Sequence, residues 1–163
     1  MLTLPAVAFF EVVLALHIMA VIVAFGATFA YPIMFSVGAR VDPRSLPVLH
    51  RVEYSVERRL TNPGLVVVLA AGIYLASKLH VWSAFYVQWG LAAVVVIGAV
   101  LGAVMIPTAK RAEALAERDL AAGDGDSFSP SEEYRALTRR LATVGSLLSL
   151  LVLVTVYFMA THT

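Results

Sequence analysis

The sequence predicts an all-α fold, a membrane-spanning four-helix bundle. Three observations carry that expectation. The chain of 163 residues is 60% hydrophobic and only 14% charged, against about 45–50% and about 25% in soluble domains. Its apolar residues collect in four blocks, each near or above the roughly 20 residues needed to cross about 30 Å of hydrocarbon. Backbone in lipid must satisfy its hydrogen bonds within its own segment, so the blocks read as helices, and the alternating pattern of a membrane barrel is absent. One domain, residues 1–163, carries spans expected at about 10–37, 63–77, 84–106 and 141–160.

The first block, FFEVVLALHIMAVIVAFGATFAYPIMF, lacks a basic n-region and a small-residue cleavage site. It is about twice the length of a signal-peptide core and reads as a retained span. Thr3 can cap its start, with Pro5 in the first turn. It exceeds one bilayer thickness, so it must tilt or project, and Pro32 is placed to kink it.

Residues 38–60 are charged. Leu49, Val52, Val56 and Leu60 recur among them at helical spacing. This predicts an amphipathic cytoplasmic helix between spans one and two, lying on the membrane surface or stacked under the bundle. Thr61-Asn62-Pro63 supplies a cap and a first-turn proline for span two.

A short link with Lys78, His80 and Trp82 follows. Trp82, Tyr86 and Trp89 form an aromatic belt at the start of span three. Gly98 and Gly102 make a GxxxG pair that lets a helix approach closely, either within the bundle or in a homodimer. Pro107 marks the exit of this span. The acidic loop at residues 123–126 lacks the further ligands of a calcium loop. Ser129-Pro130-Ser131-Glu132 reads as a capping box with proline at the first helical position, opening the helix that becomes span four.

Orientation follows from charge. Arg40, Arg44, Arg51, Arg58, Arg59, Lys110, Arg111, Arg118, Arg135, Arg139 and Arg140 lie in the loops after spans one and three, and only Lys78 lies on the other side. The positive-inside rule puts those loops in the cytoplasm and both termini outside. The partner is then the lipid bilayer. The basic loops can attract anionic headgroups, but they carry nearly as many acids, so nucleic acid is not an expected partner.

Chemistry-bearing residues are few. The absence of cysteine excludes disulfides, thiolate metal sites and thiol catalysis. Glu11 and His17 are ionisable groups inside the first block, which makes each a candidate site by default. Gln88 enters the membrane from the same side at a similar or slightly shallower depth. A cluster of His17, Gln88 and Thr155 inside the bundle is therefore expected to be geometrically reasonable. A neutral imidazole can ligate a metal or heme iron or relay a proton; equally, its ring nitrogens can bond a neighbouring helix. No second intramembrane histidine exists for bis-histidine ligation. His50 reads as cytoplasmic, and His80 and His162 as outer-surface residues in solvent. No nucleotide-binding loop, paired-carboxylate site or nucleophile elbow is present.

Leu16-His17, the helix containing Phe25-Gly26 and its Tyr31-Pro32 end resemble the first span of a group of bacterial four-helix membrane proteins. The group comprises the copper-resistance D-type proteins, the membrane protoporphyrinogen oxidases and an uncharacterised family of integral membrane proteins. The stretch Glu57-Arg58-Arg59-Leu60-Thr61-Asn62-Pro63-Gly64-Leu65-Val66-Val67 is similar to the basic approach to span two in the oxidases. The resemblance covers most of the chain and implies a bacterial inner-membrane location and a b-type heme held near His17. The oxidases also carry a lysine near the start of span three. Here that region reads Tyr86-Val87-Gln88-Trp89-Gly90, and Ala24 stands where a tryptophan is usual. These departures argue against oxidase activity and leave the uncharacterised family as the nearest fit.

Three functions follow as expectations. The first is a non-catalytic membrane component or accessory subunit of a larger complex. The second is a heme-binding redox protein using His17. The third is a small transporter or metal-handling protein. The last has least support, because transporters usually show inverted repeats, broken helices and midplane polar groups, whereas the middles of these spans are nearly all Val, Leu, Ala and Gly.

Overall fold

A computed structural model describes residues 4–123 and 129–161, with side chains from residue 9 onward. The Thr3 cap, most of the acidic loop and His162 lie outside the described residues. All regular structure described is helical: α1 (Leu4–Gly26), α2 (Tyr31–Val41), α3 (Leu46–Val56), α4 (Asn62–Leu79), α5 (Phe85–Val100), α6 (Ile106–Ala122) and α7 (Glu132–Thr161).

These helices join into four rods: Phe9–Val41, Pro43–Leu79, Phe85–Ala122 and Glu132–Thr161, of 33, 37, 38 and 30 residues. Each is long and apolar enough to cross a membrane. At about 1.5 Å per residue each also outruns about 30 Å of hydrocarbon. The surplus lies at one end and is charged, so the molecule has an apolar storey and a charged one.

The breaks within the rods trace to proline. Pro32, Pro63 and Pro107 lack the N–H that would bond the carbonyl four residues back, and their rings crowd that carbonyl. The turn containing that fourth residue is non-α in each case: a 3-10 turn at Ala27–Phe29 and π turns at Glu57–Thr61 and Leu101–Met105. A π turn accommodates the missing bond without ending the rod. Pro63 and Pro107 sit in the first turns of α4 and α6, yet neither interrupts its rod: α3 runs through into α4 and α5 into α6. The first rod breaks one turn before Pro32. Helix α7 contains no proline and is continuous.

Two caps also move. Thr61 has helical backbone and makes no capping bond; its hydroxyl donates instead to the Ala24 carbonyl of α1 at 3.0 Å. Helix α7 begins at Glu132, and Ser131 rather than Ser129 caps it, its Oγ accepting from the Tyr134 N–H at 3.3 Å. The Ser131 N–H donates to Asp119 of α6 at 2.7 Å, which ties the two helices together.

The helix at residues 46–56 exists, but its expected orientation is corrected. It is collinear with span two, and it packs along α6. Its buried face is His50, Glu53, Glu57 and Thr61. Val52 and Leu60, on the expected apolar face, are 38% and 42% exposed. In the apolar storey α1 packs along α4, and α5 along α7. The first contact is close because α4 presents Gly64 to Ala24, where an added Cβ would fall 2.8 Å from the Ala24 methyl. The core continues through Phe25, Leu65, Ile97, Leu101, Met105 and Leu141.

Candidate functional site

The structure does not assemble the expected His17, Gln88 and Thr155 cluster. His17 is half-buried, and its Nδ1 lies 3.0 Å from the Val68 carbonyl of α4. A carbonyl only accepts, so Nδ1 carries the proton and Nε2 is the ring's acceptor. The imidazole lies against Gly72 of α4, and the arrangement is a polar strap between α1 and α4. Gln88 is exposed and its amide donates to the Trp82 carbonyl at 3.3 Å. Thr155 accepts from Trp89 Nε1 at 3.0 Å, within an aromatic group that includes Phe85 and Phe158. Trp82 is 45% exposed and Glu11 is exposed. The GxxxG pair divides: Gly98 faces Leu65 of α4, whereas Gly102 has open space beside it.

The densest buried polar group is elsewhere, in the charged storey. It arises because α3 and the following π turn place His50, Glu53, Glu57 and Thr61 on one stripe, which faces α2, α6 and α7 rather than solvent. His50 is 1% exposed. Its Nδ1 is 3.2 Å from Glu53 Oε2 and its Nε2 is 3.1 Å from the Tyr134 hydroxyl. With Glu53 ionised, Nδ1–H donates to the carboxylate and Nε2 accepts from Tyr134, so both ring nitrogens are satisfied. Phe35 of α2 covers the ring at 4.6 Å between centroids. Tyr31 of α2 reaches the Glu53 carbonyl with its hydroxyl at 3.5 Å.

Glu57 is the exception in this group. It is 1% exposed, and its Oε2 has no hydrogen-bond partner. It precedes Arg58 and Arg59, before the apolar run of span two. Burial, and then the nearby Glu53, push its carboxyl up to about 8. A buried carboxylate without a cation resolves its desolvation penalty by holding a proton. Burial, with Glu53 and Asp119, likewise raises the Tyr134 phenol to about 12, so it remains a donor to His50.

Around this core the surface carries ordinary ion pairs. Arg51 bridges Glu113 at 2.6 Å and Glu117 at 3.1 Å, and Arg111 pairs with Glu133. These tie α3 to α6 and α6 to α7. Glu53, His50 and Tyr134 form a continuous hydrogen-bonded chain that joins α3 to α7. Among the described residues no group of three or more His, Asp or Glu side chains could hold a metal ion.

Sequence reasoning placed His50 on the cytoplasmic side without a role, and it did not single out Glu53, Glu57, Tyr31 or Tyr134 as site residues. The signal was present, since residues 50, 53, 57 and 61 recur at helical spacing. That stripe competes with the apolar stripe one residue away, and the apolar one is normally the buried one. Comparison with protein-family models, with curated proteins and with solved structures finds no match to this chain.

Proposed function

We propose that the chain is an integral membrane protein of the bacterial inner membrane, with both termini outside, serving as a non-catalytic component of a larger membrane assembly. One observation carries the reading: the four rods leave most of their apolar surface uncovered. In α7 only 11% of the most apolar stretch is buried, and Leu147, Leu150, Leu153, Val156 and Tyr157 are exposed along it. Water does not tolerate such a continuous apolar face, whereas lipid or a partner helix covers it. The resemblance to the uncharacterised four-helix family supports the same reading. The experiment is alkaline extraction of cell membranes, followed by native electrophoresis in mild detergent. Retention in the pellet and migration well above a 17.5 kDa monomer with its detergent is expected. Recovery in the soluble fraction overturns the membrane location, and a monomer overturns the assembly.

A second reading is favoured by the orientation of His17. With Nδ1–H on the Val68 carbonyl, Nε2 is the nitrogen available to a ligand, the orientation that metal-binding histidines use. The residues present would offer a heme one axial ligand; Gln88, turned back on Trp82, offers no second. A bound heme would supply one-electron chemistry, and His17 would position it. The reduced-minus-oxidised spectrum of protein from heme-sufficient cells, beside His17→Ala, decides this. A stoichiometric b-type signal lost in the variant supports the reading, and its absence from folded wild type overturns it.

A further inference from the structure

In the apolar storey the two helix pairs do not close over each other completely. Helices α4 and α5 pack far less extensively than α1 and α4, and between them runs a groove of about 360 Å³. Its walls are Leu65, Val66 and Leu69 on one side and Val95, Gly98 and Ala99 on the other, with Asn62 at one end. Val66 and Val95 are 66% and 60% exposed, so the groove opens outward along its length.

The end marked by Asn62 is where the apolar storey meets the charged one, and its charge is of one sign. Arg58 lies one turn before Asn62 on the same rod, and Tyr54 one turn before Arg58. Lys110 of α6 sits over the Tyr54 ring, its Nζ 5.5 Å from the centroid. That contact brings the α3–α4 and α5–α6 rods together and holds a second cation about two turns below the Asn62 end of the groove. Arg58 and Lys110 are exposed and make no ion pair among the described residues. The nearest acids are otherwise engaged: Glu53 with His50, Glu113 with Arg51, while Glu57 is buried.

We propose that this groove is a binding site for an anionic phospholipid, with its phosphate between Arg58, Asn62 and Lys110 and an acyl chain along Val66, Leu69 and Val95. The inference rests on the membrane reading above and deepens it. A zwitterionic lipid would fill the apolar walls equally well. The cations select against it, because they find no counter-charge among the described residues, and a lipid phosphate supplies one at the depth where headgroups lie. Asn62 adds an amide donor beside them.

Native mass spectrometry of the detergent-purified chain, titrated with phosphatidylglycerol and with phosphatidylcholine of identical acyl chains, tests this. Phosphatidylglycerol is expected to be retained as a 1:1 adduct with a preference of about ten-fold or more, the scale of two cations facing one anionic headgroup. The double variant Arg58→Gln/Lys110→Gln loses that preference, whereas Arg140→Gln, an equal charge change on α7, keeps it. Ala99→Phe and, as a second filling variant, Val95→Trp lose adducts of both lipids while retaining the wild-type circular dichroism. Equal retention of the two lipids by wild type overturns the site, as does an undiminished preference in the double variant. A dimer that the filling variants dissolve, without lipid adducts, assigns the groove to a second copy and also overturns it. Alkaline extraction keeps the two readings apart: a chain that stays in the membrane pellet but shows no lipid preference overturns the lipid site alone.

Discussion

Glu57 is the residue where local chemistry and fold conflict most directly. Its carboxyl is buried, one oxygen has no partner, and its folded pKa is raised from 4.5 to about 8. The folded state therefore binds a proton that the unfolded chain releases near 4.5. Below that pH both states are protonated and no penalty exists. Between 4.5 and 8 the unfolded state binds fewer protons, so stability falls as pH rises, and the loss is complete above 8. Glu57→Gln keeps the shape and removes the titration. The variant is expected to match wild type at pH 4.5 and to exceed it by on the order of a few kcal/mol at pH 9. Thermal unfolding in detergent across that range measures this, and parallel curves would show that Glu57 is ionised and compensated in the fold. Tyr134 makes the opposite case, since its hydroxyl satisfies a histidine nitrogen that is otherwise sealed from water. Tyr134→Phe leaves that nitrogen buried without a donor and should cost about 1–3 kcal/mol. An unchanged melting temperature would show that water reaches the ring.

At the scale of the element, α3 shows what sequence periodicity can and cannot decide. Its helical state was legible, because residues 49, 52, 56 and 60 keep a helical period. Its facing was not, because residues 50, 53, 57 and 61 keep the same period and differ only in chemistry. The apolar stripe would be buried if α3 packed alone. It does not: α7 presents Tyr134 and α2 presents Phe35, which suit the polar stripe. This reversal predicts unequal effects of neighbouring substitutions. Val52→Gln, at a 38% exposed position, should change stability by no more than about 0.5 kcal/mol. Glu53→Ala, one residue away, strands the His50 Nδ1–H and should cost about 1–3 kcal/mol. The reverse ranking would place the apolar stripe inside. The prolines carry a related lesson. Pro32 was visible as a kink, Pro63 as a first-turn proline and Pro107 as the exit of a span, but whether a rod stops or absorbs the defect depends on packing beyond it. Thr61, bonded to Ala24, and Met105, buried in the core, hold their π turns in register.

At the scale of the whole molecule, four long apolar helices were legible because hydrocarbon thickness sets a length that composition reveals directly; the full rods were not, since the second and third run on to Pro43–Leu79 and Phe85–Ala122. The polar interior was not, because which rods meet is a tertiary fact: α1 pairs with α4 in one storey, and α3 with α6 in the other. Orientation depends on neither, since it follows from where the basic residues lie, and the chain offers an unusually clean test of it. The sequence contains no cysteine, so a single introduced thiol is the only one present. Ser83 and Ala121 are both exposed. Ser83 lies in the link between α4 and α5, and Ala121 at the charged end of α6, with the full length of the third rod between them. If basic loops stay in the cytoplasm, Ser83→Cys reacts with a membrane-impermeant maleimide in intact cells. Ala121→Cys then reacts only after permeabilisation. The opposite pattern would invert the molecule and put Arg58, Lys110 and the Glu57 group on the outer face. Labelling of both in intact cells would mean that the third rod does not cross the membrane at all, and the two-storey division would then need another origin than the bilayer.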